Sequence, residues 1–305
     1  MQIRVLGSAA GGGFPQWNCN CPNCKGYRAG TLHARARTQS SIAVNGGNAW
    51  VLVNASPDIL TQLHANPDLQ PGLKVRDSAL AAIILVDGQV DHTTGLYMLR
   101  EAVRPWQIWC TAGTYDDLTR GNPILSVLSH YCGVEHHRID LSTAAAFAVD
   151  QVPGVRFRAL PVTGKPAPYS PSRDSPRIGD NIALLIEDEA SGRTALYAPG
   201  LGAIDDQLWD AMQSAACVMV DGTFWTDDEM IRLGVSRRYA RDIGHLPQSG
   251  VGGMLEWLER LPSATRKILI HINNTNPILD ESSAQAADLA RRGIEIAWDG
   301  MRIEL

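Results

Sequence analysis

Acidic and histidine side chains follow several apolar runs of the sequence directly. Asp91 and His92 follow the apolar run that ends at Val86 after a short polar loop, Asp221 ends the run 217–221, and His271 ends the run 267–271. Ligands of α/β proteins lie at the carboxyl ends of strands, where side chains from a rigid edge converge. Oxygen and nitrogen donors brought to one edge in this way predict a metal site.

Each of these residues also has a purely structural interpretation. Asp91 stands where a helix begins and would interact favourably with the helix dipole. Asp221 precedes a glycine, as turn aspartates commonly do. His245, in Gly-His-Leu-Pro ahead of a helix, is a further candidate. A lone histidine is more often structural, but acid or histidine at the end of three strands favours the functional interpretation.

Six cysteines fall into two groups. Cys19, Cys21 and Cys24 form a C-x-C-x-x-C run, whereas the other three are scattered among apolar residues at 110, 132 and 217. The N-terminus has neither the basic region nor the continuous apolar region of an export signal, so a disulfide framework is not expected. Three clustered thiolates therefore predict a closed structural zinc site, and free loop cysteines are the alternative.

Composition argues against two classes of partner. The net charge is −5, from 27 basic and 32 acidic residues, and basic runs do not exceed two residues. We therefore expect no nucleic-acid partner. The longest apolar run, residues 79–86, is far shorter than the about 20 residues of a spanning helix, so we expect a cytoplasmic protein without a membrane span. A homodimer is compatible with this sequence, which does not fix the oligomeric state.

Strand and helix signals alternate along the chain. The predicted strands are residues 2–6, 40–44, 50–53, 80–86, 107–110, 155–160, 182–187, 194–198, 217–220, 267–270 and 294–298. The predicted helices are residues 57–64, 93–101, 123–131, 204–213, 249–260 and 282–292. The pattern restarts near residue 155, which favours two mixed β-sheets packed face to face with helices outside, an αββα sandwich. A single doubly wound sheet is the alternative. No repeat or linker divides residues 1–305, so one domain is expected.

Residues 164–180 stand out as a loop. They contain four prolines and no apolar period, and they directly follow a predicted strand. Long loops are often functional, so this segment is a candidate lid whose side chains contact a substrate: Lys165, Tyr169, Arg173 and Arg177. A tolerated surface insertion is the alternative.

Several motifs together resemble a known family. DGQVDHTTGL, VDGTFW, GHLP and HINNTNP have the order and spacing of the metallo-β-lactamase superfamily motifs, with the last histidine at His271 and the bridging-aspartate strand at Asp221. The terminal segments GSAAGGGFPQWNCNCPNC and WDGMRIEL are similar to the PhnP-like phosphodiesterase branch. From end to end the chain resembles a family that acts in the synthesis of the coenzyme pyrroloquinoline quinone (PQQ).

The chain departs from the superfamily pattern at one of its two metal sites. The usual motif His-x-His-x-Asp-His aligns on residues 87–92, so Asp87 and Gln89 replace two histidines, and residues 161–164 offer no third one. The resemblance therefore implies that the first site is lost and that the second remains as Asp91, His92 and His271. Asp221 would be a fourth ligand or would orient the others.

Two histidines and one carboxylate with open coordination positions are typical of non-haem Fe(II) oxygenases. A paired-metal hydrolase clamps attacking and leaving oxygens between its metals, and that clamp is missing here. We therefore expect Fe(II) at the active site, although zinc could occupy the same ligands. Asp87 and Gln89 would face the open side as hydrogen-bonding or proton-transfer groups. His245 matches a substrate-contacting or acid–base histidine of the PhnP-like branch.

The resemblance also implies a substrate. PQQ derives from a peptide in which a Glu and a Tyr side chain become cross-linked, and the tyrosine ring must be oxygenated. The expected substrate is this Glu-Tyr unit, and other PQQ biosynthesis proteins are expected partners. Its carboxylates would be bound by basic side chains such as Lys165, Arg173, Arg177, Arg237 and Arg238. A mononuclear zinc hydrolase and a non-catalytic carrier of PQQ or its precursor are the alternatives.

The resemblance leaves the fourth ligand of the cysteine site open. In the PhnP-like branch a histidine three residues after the last active-site histidine completes that site, and Asn274 holds this position here. Asn274, His33 or water would complete the zinc coordination. Such a site would tie the N-terminal loop beside the active site.

Overall fold

The computed structural model describes residues 1–72, 74–143 and 145–305. Within these ranges, thirteen strands are present: β1 Gln2–Gly7, β2 Ser41–Gly46, β3 Ala49–Val53, β4 Leu80–Ile84, β5 Trp106–Cys110, β6 Val134–Arg138, β7 Val155–Pro161, β8 Ile182–Asp188, β9 Thr194–Ala198, β10 Cys217–Asp221, β11 Arg266–Ile270, β12 Ile294–Ile296 and β13 Arg302–Glu304. The α-helices are α1 Pro22–Arg28, α2 Ile59–Ala65, α3 Val90–Thr93, α4 Ala112–Asp116, α5 Ile124–Leu128, α6 Asp206–Ser214, α7 Glu229–Arg232, α8 Met254–Glu259 and α9 Ala284–Arg291.

The strands of the described residues form two mixed sheets. The first has seven strands in the order β13-β1-β2-β3-β4-β5-β6, antiparallel from β13 to β3 and parallel from β3 to β6. The second has six in the order β12-β11-β10-β9-β8-β7, parallel from β12 to β9 and antiparallel from β9 to β7.

A hydrophobic core lies between the sheets. It joins residues of the first sheet, such as Val5 and Ile84, to residues of the second, such as Phe157 and Tyr197, all of them fully buried. Two further clusters cover the outer faces, one under α6, α8 and α9 and the other under α2 and α5. Both faces of the central strands are thus buried, which explains their continuous apolar runs.

The predicted αββα sandwich is confirmed, and the alternative of one doubly wound sheet is wrong. The restart near residue 155 separates β1–β6 from β7–β12, but β13 returns to the first sheet and pairs with β1. The prediction of one helix over residues 93–101 was also wrong: α3 ends at Thr93, and a 3-10 turn, Thr94–Leu99, follows it. Within the described ranges no helix combines the length and apolar character needed to cross a membrane.

Candidate metal centre

Strand ends from both sheets converge on one cluster of histidines and acids. The chain leaves β4, passes Asp87 and enters α3, which carries Asp91 and His92. Asp221 is the last residue of β10, and His271 directly follows β11 with a positive φ of 62°. A left-handed backbone is uncommon for a residue other than glycine and is a frequent sign of a functional position.

Asp91, His92 and His271 are close enough to share one ion. Asp91 Oδ2 lies 3.2 Å from His271 Nε2 and 3.9 Å from His92 Nε2. One donor atom from each of the three residues lies within 4.8 Å of the other two. His92 Nε2 is buried and has no hydrogen-bond partner in the described part of the chain. Buried polar atoms are nearly always paired, so this nitrogen and its neighbours fit a metal ion.

Asp87 contacts the ring of His92 and also lines the cavity. His92 Nδ1 lies 2.8 Å from Asp87 Oδ1 and 2.9 Å from Oδ2, so this nitrogen donates its proton to the carboxylate. Nε2 is then the nitrogen free to bind a metal. Asp87 and Gln89 both line the cavity, as expected of groups on the open side, and their hydrogen-bonding or proton-transfer role stays a prediction. The Gln89 side chain donates to Lys165 O at 3.0 Å.

Asp221 is fully engaged in hydrogen bonds. Its Oδ1 accepts from Thr223 N at 2.9 Å and Thr223 Oγ1 at 2.6 Å. Its Oδ2 accepts from Leu201 N at 3.1 Å and His245 Nδ1 at 2.7 Å. A carboxylate has about four acceptor positions, so this arrangement favours the orienting role of Asp221 over that of a ligand.

His245 is placed by a reversal of the chain at Gly244, whose φ is 90°. Because His245 Nδ1 donates to Asp221, its Nε2 is the nitrogen available to the cavity that the ring lines. The ring also stacks on His271, with centroids 5.4 Å apart. Asp221, His245 and His271 also each offer one donor atom within 4.8 Å of the other two, but the hydrogen bond from His245 to Asp221 favours an orienting arrangement over shared coordination.

Opposite charges stabilise the ionised side chains of the metal-free site. Burial favours the neutral forms, but Asp87 and Asp91 outweigh it and raise the pKa of His92 to about 9. Against the same burial effect, His92 and His271 keep the pKa of Asp91 below its usual range. Burial also tends to lower the pKa of His245, but the neighbouring Asp221 carboxylate outweighs this effect and raises it. The site therefore carries protons that a bound cation would displace.

The metal-binding group opens into a cavity of about 300 Å³. Lys165, Arg173 and Arg238 line it, and in the described structure none of the three pairs with a carboxylate. Phe224 and Met230 supply apolar surface. A larger cavity of about 470 Å³ near Trp106 contains none of the candidate ligands.

Three predicted substrate-binding residues do not line this cavity. The Tyr169 hydroxyl donates to Gly88 O. Arg177 forms ion pairs with Asp116 at 3.1 Å and Asp180 at 3.5 Å. Arg237 is also outside the cavity lining. The contacts of Tyr169 and Arg177 fix the loop 164–180 against neighbouring segments, and other residues of this loop line the cavity.

The cysteine cluster forms a second candidate metal site. The sulfurs of Cys19, Cys21 and Cys24 lie within 4.8 Å of one another. Asn274 faces all three, with Nδ2 3.0, 3.5 and 3.4 Å from the respective sulfurs. Its amide oxygen would take that place if the side-chain amide were turned over, a choice that hydrogen bonding decides. His33 is exposed and lies 3.7 Å from Glu281, and it is not part of the cluster.

Sequence reasoning missed Thr223, which contacts Asp221, His245 and His271 through one hydroxyl. Its only signal was a threonine two residues after a strand-end aspartate. It also missed Asn23, whose side chain donates to Asn274 O at 3.1 Å and Asn276 O at 2.9 Å. Thr223 and Asn23 each contact residues that are distant in sequence.

Comparison with known proteins agrees with this fold. A family model for a beta-lactamase superfamily domain matches residues 49–272, and the chain belongs to the metallo-β-lactamase superfamily. Over 306 residues it is 62% identical to the coenzyme PQQ synthesis protein B of Azoarcus sp. strain BH72, with 100% of both chains covered. The crystal structure of Zn²⁺-bound PqqB from Methylobacterium extorquens matches with a TM-score of 0.89 and 34% identity, again over 100% of both chains. Within the superfamily, this chain is a member of the coenzyme PQQ synthesis protein B family.

A diphosphatase of the PhnP family has a TM-score of 0.69 at 18% identity, covering 100% of this chain and 96% of the diphosphatase. That likeness concerns the fold alone. The resemblance to the PQQ family is confirmed by the PQQ synthesis relatives, and the PhnP-family structure shares the fold of this chain.

Proposed function

We propose that this member of the PQQ synthesis family is an Fe(II)- and O₂-dependent hydroxylase of the tyrosine ring in a cross-linked Glu-Tyr precursor. The observation that carries the proposal is the surviving set of Asp91, His92 and His271 beside Asp87 and Gln89. These last two stand where a dinuclear hydrolase would have histidines. Asp87 serves His92 instead of a second metal.

An Fe(II) ion held by two histidines and one carboxylate keeps positions open for O₂ and substrate. Hydroxylation places one oxygen atom of O₂ on the ring and releases the other as water, so two electrons must come from an external reductant. Asp87 fixes the ring of His92, and Asp221 fixes that of His245. The Nε2 atom of His245 is then available to accept the phenolic proton of the substrate.

The basic lining of the cavity supports a substrate with several carboxylates. Lys165, Arg173 and Arg238 reach the cavity without carboxylate partners, and charge-assisted hydrogen bonds to such cations are the strong ones. Phe224 offers apolar surface to an aromatic ring. The volume of about 300 Å³ is at the small end of ligand sites and suits a compact substrate.

We further propose that the cysteine cluster binds a structural zinc ion. Three sulfurs and the Asn274 amide surround one point, which matches a closed four-coordinate site. The ion would attach α1 to the segment that follows His271.

A mononuclear zinc hydrolase is the second candidate, because the Methylobacterium extorquens relative was solved with zinc bound. In that case the same ligands would activate a water molecule. Loss of the first metal position weakens this alternative, since the paired clamp on attacking and leaving oxygens is missing.

Anaerobic reconstitution tests both functions. Metal-free protein is loaded with Fe(II) or Zn(II) and then given O₂, a reductant and the Glu-Tyr compound. The masses of the products are measured by mass spectrometry. A gain of oxygen from ¹⁸O₂ with Fe(II) only, lost in His92→Ala, supports the hydroxylase. A product containing oxygen from water with Zn(II) supports the hydrolase. Tight binding of PQQ or its precursor without any product would contradict both and favour a carrier.

A further inference from the structure

The hydroxyl of Thr223 occupies the centre of the hydrogen-bond network around the metal-binding group. Thr223 Oγ1 lies 2.6 Å from Asp221 Oδ1, 2.9 Å from His271 Nδ1 and 3.1 Å from His245 Nδ1. Thr223 is almost fully buried. One hydroxyl thus contacts a candidate ligand, a candidate proton acceptor and the acid between them.

The backbone holds Thr223 rigidly in this place. Its carbonyl oxygen accepts from Asn273 N at 3.1 Å and from Asn276 Nδ2 at 3.2 Å, and its amide donates to Asp221. Gly222 allows the approach, because a Cβ there would lie 2.9 Å from Ile270 O and from Leu269 Cβ. The hydroxyl therefore has little freedom to turn elsewhere.

Counting protons assigns the direction of each hydrogen bond. Asp221 is a carboxylate, so the Thr223 hydroxyl must donate its single proton to Oδ1. The hydroxyl oxygen can then only accept from the two histidines. When a cation is bound to Nε2, the proton of His271 is on Nδ1 and is donated to the Thr223 hydroxyl. Without a cation, Nε2 must also carry a proton, because the Asp91 carboxylate 3.2 Å away can only accept. His245 is protonated on Nδ1 in the same way, with Asp221 Oδ2 as its nearer acceptor.

From this network we infer that Thr223 is a positioning residue that fixes the tautomer and ring orientation of His271 and His245 together. It links the metal ligand to the histidine that faces the substrate cavity. The inference rests on the metal centre of the proposed function, but it holds for any metal bound there and does not depend on the reaction. Residues that hold metal ligands in this way commonly contribute about 10- to 100-fold to metal affinity.

The test uses zinc alone and protein whose cysteine cluster is already loaded. Thr223→Val keeps the shape and removes the hydroxyl, so we expect the dissociation constant of the second zinc equivalent to rise about 10- to 100-fold in chelator competition. Thr223→Ser should restore most of the affinity. Thr226→Val is the matched control, because the Thr226 hydroxyl contacts Asp228 and Arg232 and none of the candidate ligands. A Thr223→Val protein that binds zinc within about threefold of the wild type, or a Thr223→Ser protein that fails to recover, would overturn the inference.

A second measurement does not depend on how the variants fold. In zinc-loaded wild type, ¹⁵N spectra should show the His271 proton on Nδ1 in slow exchange with water, because Thr223 accepts it. A rapidly exchanging proton at that position would contradict the role of Thr223. Oxygen incorporation distinguishes the two proposals. If the wild type does not hydroxylate the substrate but Thr223→Val binds zinc more weakly, only the hydroxylase proposal is refuted. Hydroxylation together with an unaffected Thr223→Val site refutes this inference alone.

Discussion

Asp87 contacts His92 Nδ1 through both carboxylate oxygens, at a position where the superfamily motif that the sequence resembles has a histidine. This contact makes Asp87 part of the candidate metal site. A carboxylate behind a metal-bound histidine raises the basicity of the ring and fixes its tautomer. In the proposed mononuclear site, Asp87 therefore supports the ligand His92 and is not itself a metal ligand.

Asp87→Asn should weaken the binding of metal at the active site and leave zinc bound at the cysteine cluster. The amide is a poorer acceptor for the Nδ1 proton of His92, so we expect the dissociation constant of the active-site metal to rise about 10- to 100-fold. Metal analysis after dialysis against graded chelator measures this. Asp140→Asn, on the exposed surface, is the control. Equal metal retention in Asp87→Asn and the control would show that Asp87 does not support His92.

The affinity for metal should rise with pH up to about 9. In the metal-free protein, Asp87 and Asp91 outweigh the lowering effect of burial and raise the pKa of His92 to about 9. Protonation of His92 therefore stabilises the folded, metal-free protein, and this stabilisation is fully present below about pH 6.5. This stabilisation is lost as the pH rises through 9. Metal must displace the Nε2 proton, and the affinity should therefore increase by roughly tenfold per pH unit from pH 7 to 9 and then level off. Chelator competition measures it, and an affinity independent of pH between 7 and 9 would refute the assignment.

At the scale of elements, two arginines on the same loop have different roles. Arg173 lines the cavity, whereas Arg177 pairs with Asp116 and Asp180. Arg173→Gln should weaken binding of the Glu-Tyr compound about 10- to 100-fold, because a charge-assisted hydrogen bond is lost. Arg177→Gln should leave binding unchanged and cost less than about 1 kcal/mol of stability, since its ion pairs are partly exposed. Calorimetric titration separates them, and an equal loss of affinity in both variants would contradict the division.

The sequence predicted the buried strands well and the elements around them less well. Strands β7, β8 and β9 lie within one residue of their predicted bounds. The buried strands β8 and β9 contain continuous apolar runs, whereas β7 begins with alternating buried and exposed residues. β6 was missed, since Val134–Arg138 is a polar edge strand with little burial. β13 was missed as well, because three residues give no period. Exposed or very short strands are defined by pairing that the local sequence does not show.

Tertiary contacts also shortened the helix that was predicted over residues 93–101. Gly95 packs so tightly that a Cβ would lie 2.1 Å from Ser56 O, and its amide donates to Ala55 O. The hydroxyls of Thr93 and Thr94 bind carbonyls four residues earlier. The same limit applies to the site, because strand ends predicted Asp91, His92 and His271, whereas the role of Thr223 depends on contacts up to 48 residues apart.

At the scale of the whole molecule, the segment 271–276 joins the two candidate metal sites. His271 belongs to one, and Asn274 faces the three sulfurs of the other. Asn23 of α1 donates to Asn274 O and Asn276 O, and Asn276 in turn donates to Gly222 O at 3.0 Å. The N-terminal segment is thereby connected to the end of β10. Metal at the cysteine cluster should accordingly stabilise both the fold and the active site.

Cys24→Ser tests this connection against Cys110→Ser, since both cysteines are fully buried but only Cys24 belongs to the cluster. Each variant buries a hydroxyl, so both should unfold at a lower temperature than the wild type. Cys24→Ser should in addition lose one zinc equivalent. After active-site metal has been removed from all variants, a strong chelator should no longer change the Tm of Cys24→Ser. Wild type and Cys110→Ser should bind that zinc, and the Tm of each should fall by about 4–10 °C when a chelator removes it.

Active-site metal should also bind more weakly in Cys24→Ser, because Asn274 and His271 share one short segment. Equal zinc content in the two variants would refute the structural zinc, and unchanged active-site affinity after its loss would show that the two centres are independent.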